Sequence, residues 1–529
     1  MSIFSKIPFK KPSYSTFNLS HDRKFSLNMG DLVPCYLQEV LPGDRIKMGT
    51  QQMLRMMPMI HPIMHEVQVD LHYFFVPNRL VWQYWPQFIS GGESGMDEYS
   101  MIHQNVDYKV EVGSLADYMG LPLGNVKDFS IIPFLIYQLV YNEYYRDQNL
   151  ELDIWGDYIS DNERGPVKYE GGANYNVNTF GHLFKLRKRA WQHDYFTSAL
   201  PFAQKGEVVK LPVFSGEDLI PITYDARNKT TQQIRNLDGT DYTGLDHQLS
   251  SVNGVFGIDS NPDEALALDV SKQHWVDPED ATAAASSIKD LRQAFKLQEW
   301  LEKTARSGNR YVEMLLAHFG VHNNDLALGR PKYLGGNSSP VMFSEVLQTS
   351  QTQDTALGEM AGHGLNVGRG FAFNERFTEH GFVIALMSVR PKTAYQQGLP
   401  KHFSKFDKFD YFWKEFEHIG EQEIYNKELI YTDKDDYNNG IFGYIPRYAE
   451  YKYNPSSVHG YMKDNLSAWH LGRVFDPANP PALNEEFIKC NPRKDIFAVT
   501  DEEEHSMICQ MFHNIEAKRP MTYYSSPKF

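Results

Sequence analysis

The sequence of 529 residues is poor in the features that mark secreted and membrane proteins. Its three cysteines, Cys35, Cys490 and Cys509, cannot all pair with one another, and their spacing fits no zinc pattern. They are expected to be free thiols in a reducing cytoplasm. The most apolar stretches, 131–141 and 382–389, are too short to span a bilayer, and the N-terminus lacks the apolar core of a signal peptide. We therefore expect assembly inside a cell and no membrane insertion.

An excess of positive charge is also missing. The net charge is −15, whereas a protein that simply coats nucleic acid should be basic, because phosphate neutralisation dominates that affinity. Any contact with nucleic acid must then come from local basic patches. Residues 1–24 carry five bases against one acid, and their prolines disfavour regular structure, so they are predicted to form an extended arm. The bases of this arm are Lys6, Lys10, Lys11, Arg23 and Lys24.

A second basic patch is the run KLRKR at 185–189. Its bases Lys185, Arg187, Lys188 and Arg189 could face packaged nucleic acid, and Trp191 could stack on single-stranded bases. The run could equally be a solvated helix face or a partner for acids on a neighbouring subunit. The sequence leaves both interpretations open, because phosphate contacts need no fixed motif.

Catalytic and cofactor signatures are absent from the sequence. No phosphate-binding loop, dinucleotide fingerprint or nucleophile elbow is present. HPIMH (61–65) has the spacing of two helical zinc ligands, but Pro58 and Pro62 break the helix that this spacing requires. We predict no enzyme activity, no catalytic residue, no metal site and no cofactor.

Aromatic residues and strand patterns are abundant. The chain has 33 Phe, 31 Tyr and 8 Trp, and aromatics favour strands and the cores of interfaces. Alternation predicts strands, and apolar spacing of three and four residues predicts helices. The predicted strands are 32–41, 67–77 and 382–389, and the predicted helices are 130–148, with Ser130 as its N-cap, 287–308 and 311–320. A methionine-rich segment from Met48 to Met64 is predicted to pack in the core or against another subunit, with a functional methionine surface as the alternative.

Residues 213–288 differ from their surroundings. They hold 13 acids and 4 bases and contain no long periodic element, which is typical of an elaborate surface insertion. Disorder is the competing interpretation, although the apolar and aromatic content argues against it. If the insertion meets a receptor, the candidate contact residues are Asp225, Asp238, Asp241, Asp246, Phe256 and Trp275.

Several long blocks resemble the major capsid protein of microviruses, in particular its gokushovirus branch. The blocks run in order over nearly the whole chain, with 213–288 as the main departure. They include FNLSHDRKFSLNMGDLVPCYLQEVLPGD (17–44), HDYFTSALPFAQKG (193–206), EWLEKTARSGNRYVEMLLAHFGV (299–321) and FTEHGFVIALMSVRPKTAYQQGLPKHF (377–403).

The resemblance implies a mainly β fold, an eight-stranded antiparallel jelly roll of the viral capsid type, whose long inter-strand insertions contain helices. Residues 25–529 would form this single domain, and 213–288 would protrude at the three-fold axes and meet a host surface receptor. Sixty copies are implied to form a T=1 icosahedral shell around a circular single-stranded DNA genome, assembled in the cytoplasm of a bacterial host. The implied partners are a small basic DNA-packaging protein and an internal scaffolding protein.

Two other functions compete with this shell protein. A carbohydrate-active jelly-roll protein, either a lectin or a glycosidase, would use surface aromatics and paired acids. A single-stranded DNA-binding protein would need its bases to cluster on one face despite the acidic total. Formation of closed particles distinguishes the first hypothesis from both.

Overall fold

A computed structural model describes most of the chain. The described residues are 13–95, 97, 101–154, 181–206, 209, 234–236, 249–252, 255–258, 266–268, 288–308, 310–322, 324–347, 349, 360–501 and 504–524. They form two compact units, Met1–Lys205 with Glu302–Phe529, and Gly206–Leu301.

Strands dominate the described chain, and all paired strands are antiparallel. They are β1 (Ser15–Asn18), β2 (His21–Leu27), β3 (Val33–Val40), β4 (Arg45–Met56), β5 (Val67–Pro77), β6 (His103–Gln104), β7 (Tyr108–Val110), β8 (Gly124–Val126), β9 (Phe129–Ser130), β10 (Ile234–Asn236), β11 (Leu249–Val252), β12 (Val255–Ile258), β13 (Leu266–Leu268), β14 (Lys332–Pro340), β15 (Met342–Leu347), β16 (Met360–Arg376), β17 (Gly381–Pro391), β18 (Glu421–Tyr425), β19 (Ile441–Pro446) and β20 (Met507–Arg519).

Helices are mostly short and lie between the strands. They are α1 (Asn78–Val81), α2 (Trp85–Ser90), α3 (Leu115–Met119), α4 (Ile132–Tyr144), α5 (Ile288–Ser307), α6 (Tyr311–Phe319), α7 (Asn426–Leu429), α8 (Asp435–Asn438), α9 (Ala449–Lys452) and α10 (Glu485–Ile488). Single 3₁₀ turns occur at Gly181–Phe184, Asp325–Leu328, Lys401–Ser404, Lys408–Asp410, Lys414–Phe416, Gly460–Lys463 and Ser467–Trp469.

Two sheets form the framework of the first unit. The six-stranded sheet has the order β1-β20-β4-β16-β15, with β2 also paired to β20, and the four-stranded sheet has the order β14-β5-β17-β3. Apolar side chains of both sheets meet in one core, which includes Leu54, Val69, Phe373, Val383 and Met511. The framework is therefore a β-sandwich, because the inward-facing residues of two packed sheets form a shared core.

The four-stranded sheet is covered on both faces, whereas the six-stranded sheet is covered on one. A second core packs α4 against the outer side of the four-stranded sheet, through residues such as Phe74, Phe134, Tyr137 and Ile384. Double coverage explains why nearly every residue of β5 is buried. In β4, buried and exposed residues alternate almost throughout, because only one side meets the core. Among the described residues of the first unit, no layer packs on the outer face of the six-stranded sheet, so this face is open there.

The sequence-predicted elements are largely confirmed. Strands occur at Val33–Val40, Val67–Pro77 and Gly381–Pro391, and helices at Ile132–Tyr144, Ile288–Ser307 and Tyr311–Phe319. The predicted cap of α4 is off by one residue. Ile131 occupies the cap position, and the Ser130 hydroxyl accepts from the Ile132 amide at 3.4 Å. The three cysteines are free and buried, and burial raises the pKa of the Cys35 and Cys490 thiols to about 12.

Methionines 48, 56 and 59 are buried in the sandwich core, as expected of a segment that fills irregular gaps. The same segment also contributes two exposed side chains, Met53 and Met64. Met53 is exposed because it lies on the open side of β4. The core interpretation therefore holds for the inward-facing methionines of β4 and for Met59, and not for Met53 and Met64.

The second unit contains two short antiparallel strand pairs in the described residues. Strand β10 pairs with β13, and β11 pairs with β12. This unit, Gly206–Leu301, includes the predicted insertion 213–288.

His513 is a polar group within the sandwich core. Its ring lies 3.1 Å from the Thr50 hydroxyl and 3.3 Å from the Cys35 carbonyl oxygen, and it is fully buried. Burial lowers the pKa of His513 to about 4, with the neighbouring His21 and Arg23 acting in the same direction. The folded protein therefore holds this imidazole neutral at pH values where the unfolded chain binds a proton.

The depressed pKa of His513 predicts acid sensitivity. Stability should be unaffected above pH 6.5, decline as the pH falls below it, and reach its full loss below about pH 4. At pH 5 this one group should cost about 2 kcal/mol. Urea unfolding at pH 7 and pH 5 should show a smaller loss for His513→Gln than for the original chain. His322→Gln, at an exposed site, should keep the original pH dependence; equal behaviour of the two variants would contradict the assignment.

Candidate nucleic-acid interface

The KLRKR segment is fixed by backbone contacts between the sheets and the C-terminal part of the chain. The Leu32 amide donates to the Arg187 carbonyl at 2.9 Å, and the Arg189 amide donates to the Gly30 carbonyl at 2.8 Å. The Cys490 amide donates to the Arg189 carbonyl at 2.8 Å. The segment is therefore an extended connection held by backbone hydrogen bonds. It does not form the solvated helix face that the sequence left open.

Arg189 belongs to a buried charge cluster on the outer side of the four-stranded sheet. One Asp70 carboxylate oxygen accepts from Arg189 at 2.6 Å and from Arg390 at 2.7 Å, and all three side chains are mostly buried. Arg189 also donates to the Ser388 hydroxyl at 2.7 Å, and its guanidinium lies 5.4 Å from the centre of the Tyr145 ring. Such a planar cation suits both a carboxylate and an aromatic face.

Electrostatics in this cluster favour the ionised carboxylate. Burial would raise the pKa of Asp70, but the two guanidiniums outweigh it, so the pKa lies below its ordinary value. Burial lowers the pKa of the neighbouring His72 to about 4, and Arg189 adds to that effect. Arg189 and Arg390 are therefore neutralised by Asp70 of the same chain, without any contact with nucleic acid.

The other bases of the segment differ in their accessibility. Arg187 donates to the Gln138 side chain at 2.8 Å and to the His182 carbonyl at 3.0 Å. Lys188 donates to the Asn491 side chain at 2.6 Å, and Lys185 is exposed. Within 185–189, Lys185 is thus the base with the freest access to solvent.

Trp191 is buried, with 4% of its surface exposed. The Arg473 guanidinium lies 5.1 Å from its ring centre, a distance typical of a cation–π contact. The ring borders a cleft of about 720 Å³ between the KLRKR segment and the four-stranded sheet. That cleft is lined by His72, Phe74, Tyr144, Tyr145, Arg189, Ala190, Trp191, Gln192, His193, Asp325, Tyr333 and Arg390.

Two of the five basic residues of the predicted arm lie within the described part of the chain. Lys6, Lys10 and Lys11 lie outside the described residues. Arg23 and Lys24 lie in β2, which pairs with β20, so this part of the arm belongs to the six-stranded sheet. Arg23 turns inward and donates to the Tyr118 carbonyl, and Lys24 is exposed on the opposite side.

Most candidate residues of the insertion lie outside the described part of the chain. These are Asp225, Asp238, Asp241, Asp246 and Trp275. Phe256 lies in β12, opposite Ser251 of β11. Their role in attachment stays a prediction.

The open face of the six-stranded sheet carries a concentration of positive charge that sequence reasoning missed. Strand register places seven bases and two acids on this face, a net charge of +5 within a chain of −15. We call it the basic sheet face. Its bases are Lys24, Arg45, Lys47, Arg55, Arg369, Arg376 and Lys518, and its acids are Asp22 and Glu516.

The seven basic side chains of this face form no close ion pairs within the described part of the chain. Among the residues that the structure describes, none of the seven has a carboxylate oxygen within 4.0 Å, and Arg45 donates instead to the Asn374 side chain. Two aromatic side chains, Phe371 and Phe512, are exposed between them. Unpaired bases interleaved with exposed rings are the composition of surfaces that bind single-stranded nucleic acid.

A signal for this face is present in the sequence of β4. At the two ends of RIKMGTQQMLRM (45–56), the bases Arg45, Lys47 and Arg55 alternate with apolar residues. The apolar half of this pattern predicts a core side, and the other half predicts a basic surface. Even so, the neighbouring Arg369 and Lys518 come from distant parts of the chain, so only the sheet order brings them beside β4.

Comparison with known proteins identifies the family of this chain. A family model described as capsid protein (F protein) matches residues 5–529. The chain belongs to the microvirus capsid-protein family. The chain is 35% identical to capsid protein VP1 of Chlamydia phage 1, over 99% of this chain and 97% of the relative. Capsid protein VP1 of Bdellovibrio phage phiMH2K is 34% identical (99% and 97% covered), and that of Spiroplasma virus 4 is 31% identical (97% and 95%).

Membership assigns this capsid protein a structural, non-enzymatic role as a component of the virion. It separates the chain from the carbohydrate-active proteins that the sequence left in competition. Within the described residues, no helix is long and apolar enough to cross a membrane, and no three His, Cys, Asp or Glu side chains are grouped as a metal site would require.

Proposed function

We propose that sixty copies of this capsid protein close a T=1 icosahedral shell around a circular single-stranded DNA, with the basic sheet face turned toward the genome. The observation that carries the orientation is the net charge of +5 on that face in a strongly acidic chain. Phosphate contacts dominate affinity for nucleic acid, so the packaged strand should lie against the surface with unpaired bases.

The sandwich supports a more specific proposal, that its framework is an eight-stranded jelly roll. The strands β2, β20, β4 and β16 are neighbours in one sheet, and β3, β17, β5 and β14 in the other. Along the chain, each of these strands is followed by one in the opposite sheet, except for the step from β5 to β14. Two sheets wound in this alternating manner are the architecture of double-sheet capsid folds.

Exposed rings supply the second part of the proposed DNA contact. Phe512 lies in register with Gln51 of β4, and Arg369 of β16 lies on the other side of that glutamine. A base stacked on an aromatic ring gains about 1–3 kcal/mol without regard to sequence. The face is therefore suited to a strand of any sequence. By contrast, Trp191 is buried, and its ring already contacts the Arg473 guanidinium instead of a nucleic-acid base.

A change of four charges tests this orientation. Lys24, Lys47, Arg55 and Arg369 are replaced by glutamine in the full chain, and binding to a single-stranded oligonucleotide is measured against salt. Because each lost phosphate contact removes about 0.7 from the slope of log K against log salt, the slope should fall by about 3. The matched control replaces Lys109, Lys127, Lys434 and Lys452, four exposed bases on other surfaces.

The two variants carry the same net charge, so total charge alone would weaken binding equally in both. Such equality would overturn the proposed orientation. Particles of the first variant should also contain less DNA than particles of the control.

Particle mass tests the stoichiometry separately. Sixty chains of 61.1 kDa correspond to about 3.7 MDa for the protein shell, which native mass measurement of DNA-free particles can resolve. The packaging protein, the internal scaffold and receptor attachment through 213–288 stay proposals that rest on the family resemblance.

A further inference from the structure

A group of exposed aromatic side chains lies outside the strands that form the basic sheet face. Residues 403–416, which we call the aromatic loop, present six rings of which at least 46% of the surface is exposed, and Phe406 reaches 90%. The six are Phe403, Phe406, Phe409, Tyr411, Phe412 and Trp413. Exposed apolar side chains concentrated in one short segment are typical of an interaction site.

The conformation of the aromatic loop is fixed by its own polar groups. The Asp410 carboxylate accepts from the Phe406 amide at 2.9 Å and from the Asp407 amide at 2.8 Å. The Trp413 indole donates to the Lys408 carbonyl at 2.8 Å. The rings are therefore presented on an ordered backbone, which lowers the entropy cost of a contact.

The base of the loop is packed against the rest of the first unit. Phe412 lies 4.9 Å from the buried Tyr448 ring, in an edge-on arrangement. Lys405 donates to Glu450 at 3.0 Å and to the Tyr451 hydroxyl at 2.9 Å. Lys405 thus has its partners within the first unit, whereas the six aromatic side chains stay exposed.

Charge favours another copy of the same chain as the occupant. Two copies that each carry −15 repel, so they should meet where neither brings net charge. Residues 401–419 hold four lysines and four acids and are neutral at pH 7 with uncharged histidines. A nucleic-acid strand would instead favour the basic sheet face.

The size of the surface also fits a subunit contact. Six partly exposed rings offer roughly 600–700 Å², since a buried aromatic covers about 150–250 Å². A standard interface buries about 800 Å² on each partner, and its core is enriched in Tyr, Trp and Phe. The aromatic loop would supply most of one such half-interface.

We propose that the aromatic loop is a contact between neighbouring copies of this chain in the assembled shell. This inference rests on the proposed function, because it needs the chain to assemble with itself. The loop docks its rings on the adjacent subunit, and the rest of that interface surrounds it with polar contacts.

Hydroxyl-radical footprinting of purified virions and of dissociated subunits tests the contact directly. The rings of Phe406, Tyr411 and Trp413 should be oxidised at least tenfold more slowly in the particle. Trp82, which is fully buried, should stay protected in both samples and so reports that the dissociated subunit is folded. Equal oxidation of the loop in the two samples would overturn the proposal.

Cross-linking identifies the occupant. Particles assembled from a mixture of ¹⁴N- and ¹⁵N-labelled chains are treated with a lysine-reactive reagent, and cross-links from Lys408 and Lys414 are assigned by mass. Mixed-isotope links to another copy of this chain are expected. Links solely to a different virion protein, or protection that disappears in DNA-free particles, would replace the second copy with that partner.

A variant separates assembly from folding. Phe403→Asp combined with Phe406→Asp should lower particle yield at least tenfold and leave the melting temperature of the subunit within a few degrees, because both rings are exposed. The control Val112→Asp with Leu123→Asp adds the same charge at two other exposed apolar residues and should assemble normally. Wild-type yield from the loop variant would refute the contact, whereas failure of the unmodified chain to form particles would refute the shell itself.

Discussion

Replacing Asp70 with asparagine should lower the free energy of unfolding by about 3–5 kcal/mol. The carboxylate is shared by Arg189 and Arg390, and each of the three side chains is at most 15% exposed. Asparagine keeps the volume but leaves two guanidiniums without a counter-charge in a poorly solvated site. Urea denaturation of the full chain measures the loss.

Glu66→Gln is the matched control for this substitution. Glu66 directly precedes the same strand and pairs with Lys392 at 3.2 Å, but both side chains are about half exposed. An exposed pair contributes about 0–1 kcal/mol, since water screens it. If both substitutions cost the same, burial does not govern the Asp70 cluster as described. In the particle, Asp70→Asn should also loosen the connection that carries Arg189.

Gly30→Ala should destabilise the fold by more than about 4 kcal/mol, by forcing a core contact apart. A Cβ at this position would lie 2.0 Å from the Cys490 carbonyl oxygen, and the backbone φ of +85° is itself unfavourable for alanine. Gly30 also donates to the Val389 carbonyl and accepts from the Arg189 amide, both at 2.8 Å. Three segments therefore converge on a position that has no room for a side chain.

Gly120→Ala separates the two causes. Gly120 has a φ of +98°, but a Cβ there meets no atom within 4 Å. Its substitution should cost about 1–2 kcal/mol, the strain of a left-handed backbone alone. Comparable losses for the two variants in urea denaturation would mean that the overlap at Gly30 is relieved cheaply.

The sequence left open whether the KLRKR run forms a basic surface. The structure instead places the accessible positive charge on the basic sheet face, and it pairs Arg189 of the run with the buried Asp70. A run of bases in sequence proved to contain two arginines held by internal partners, Arg187 by Gln138 and Arg189 by Asp70. Bases that are scattered through the sequence instead share one open surface. Charge density along the chain is therefore a poor guide to charge density on a surface, because a sheet places distant strands side by side.

Local pattern was sufficient for three strands and three helices of this protein. The alternation in 67–77 and the apolar spacing in 287–308 and 311–320 depend on residues close in sequence, and the structure has a strand and two helices there. Long blocks of resemblance were sufficient for the capsid family, which the family match confirms. The net charge of −15 is a property of composition alone, and it excludes a uniformly basic coat protein.

Tertiary structure alone decided which face of each strand is exposed to solvent and which basic side chains have no ion-pair partner within the described chain. Strands β2, β4, β16 and β20 lie between residues 21 and 519, yet they form one surface because antiparallel pairing joins them across the sheet. The same pairing turns Met48 inward and Met53 outward. The sequence by itself determined six of the elements, the family and the acidic total. Packing of two sheets and one helix layer determined where charge, aromatic surface and burial occur, since those properties depend on neighbours that are remote along the chain.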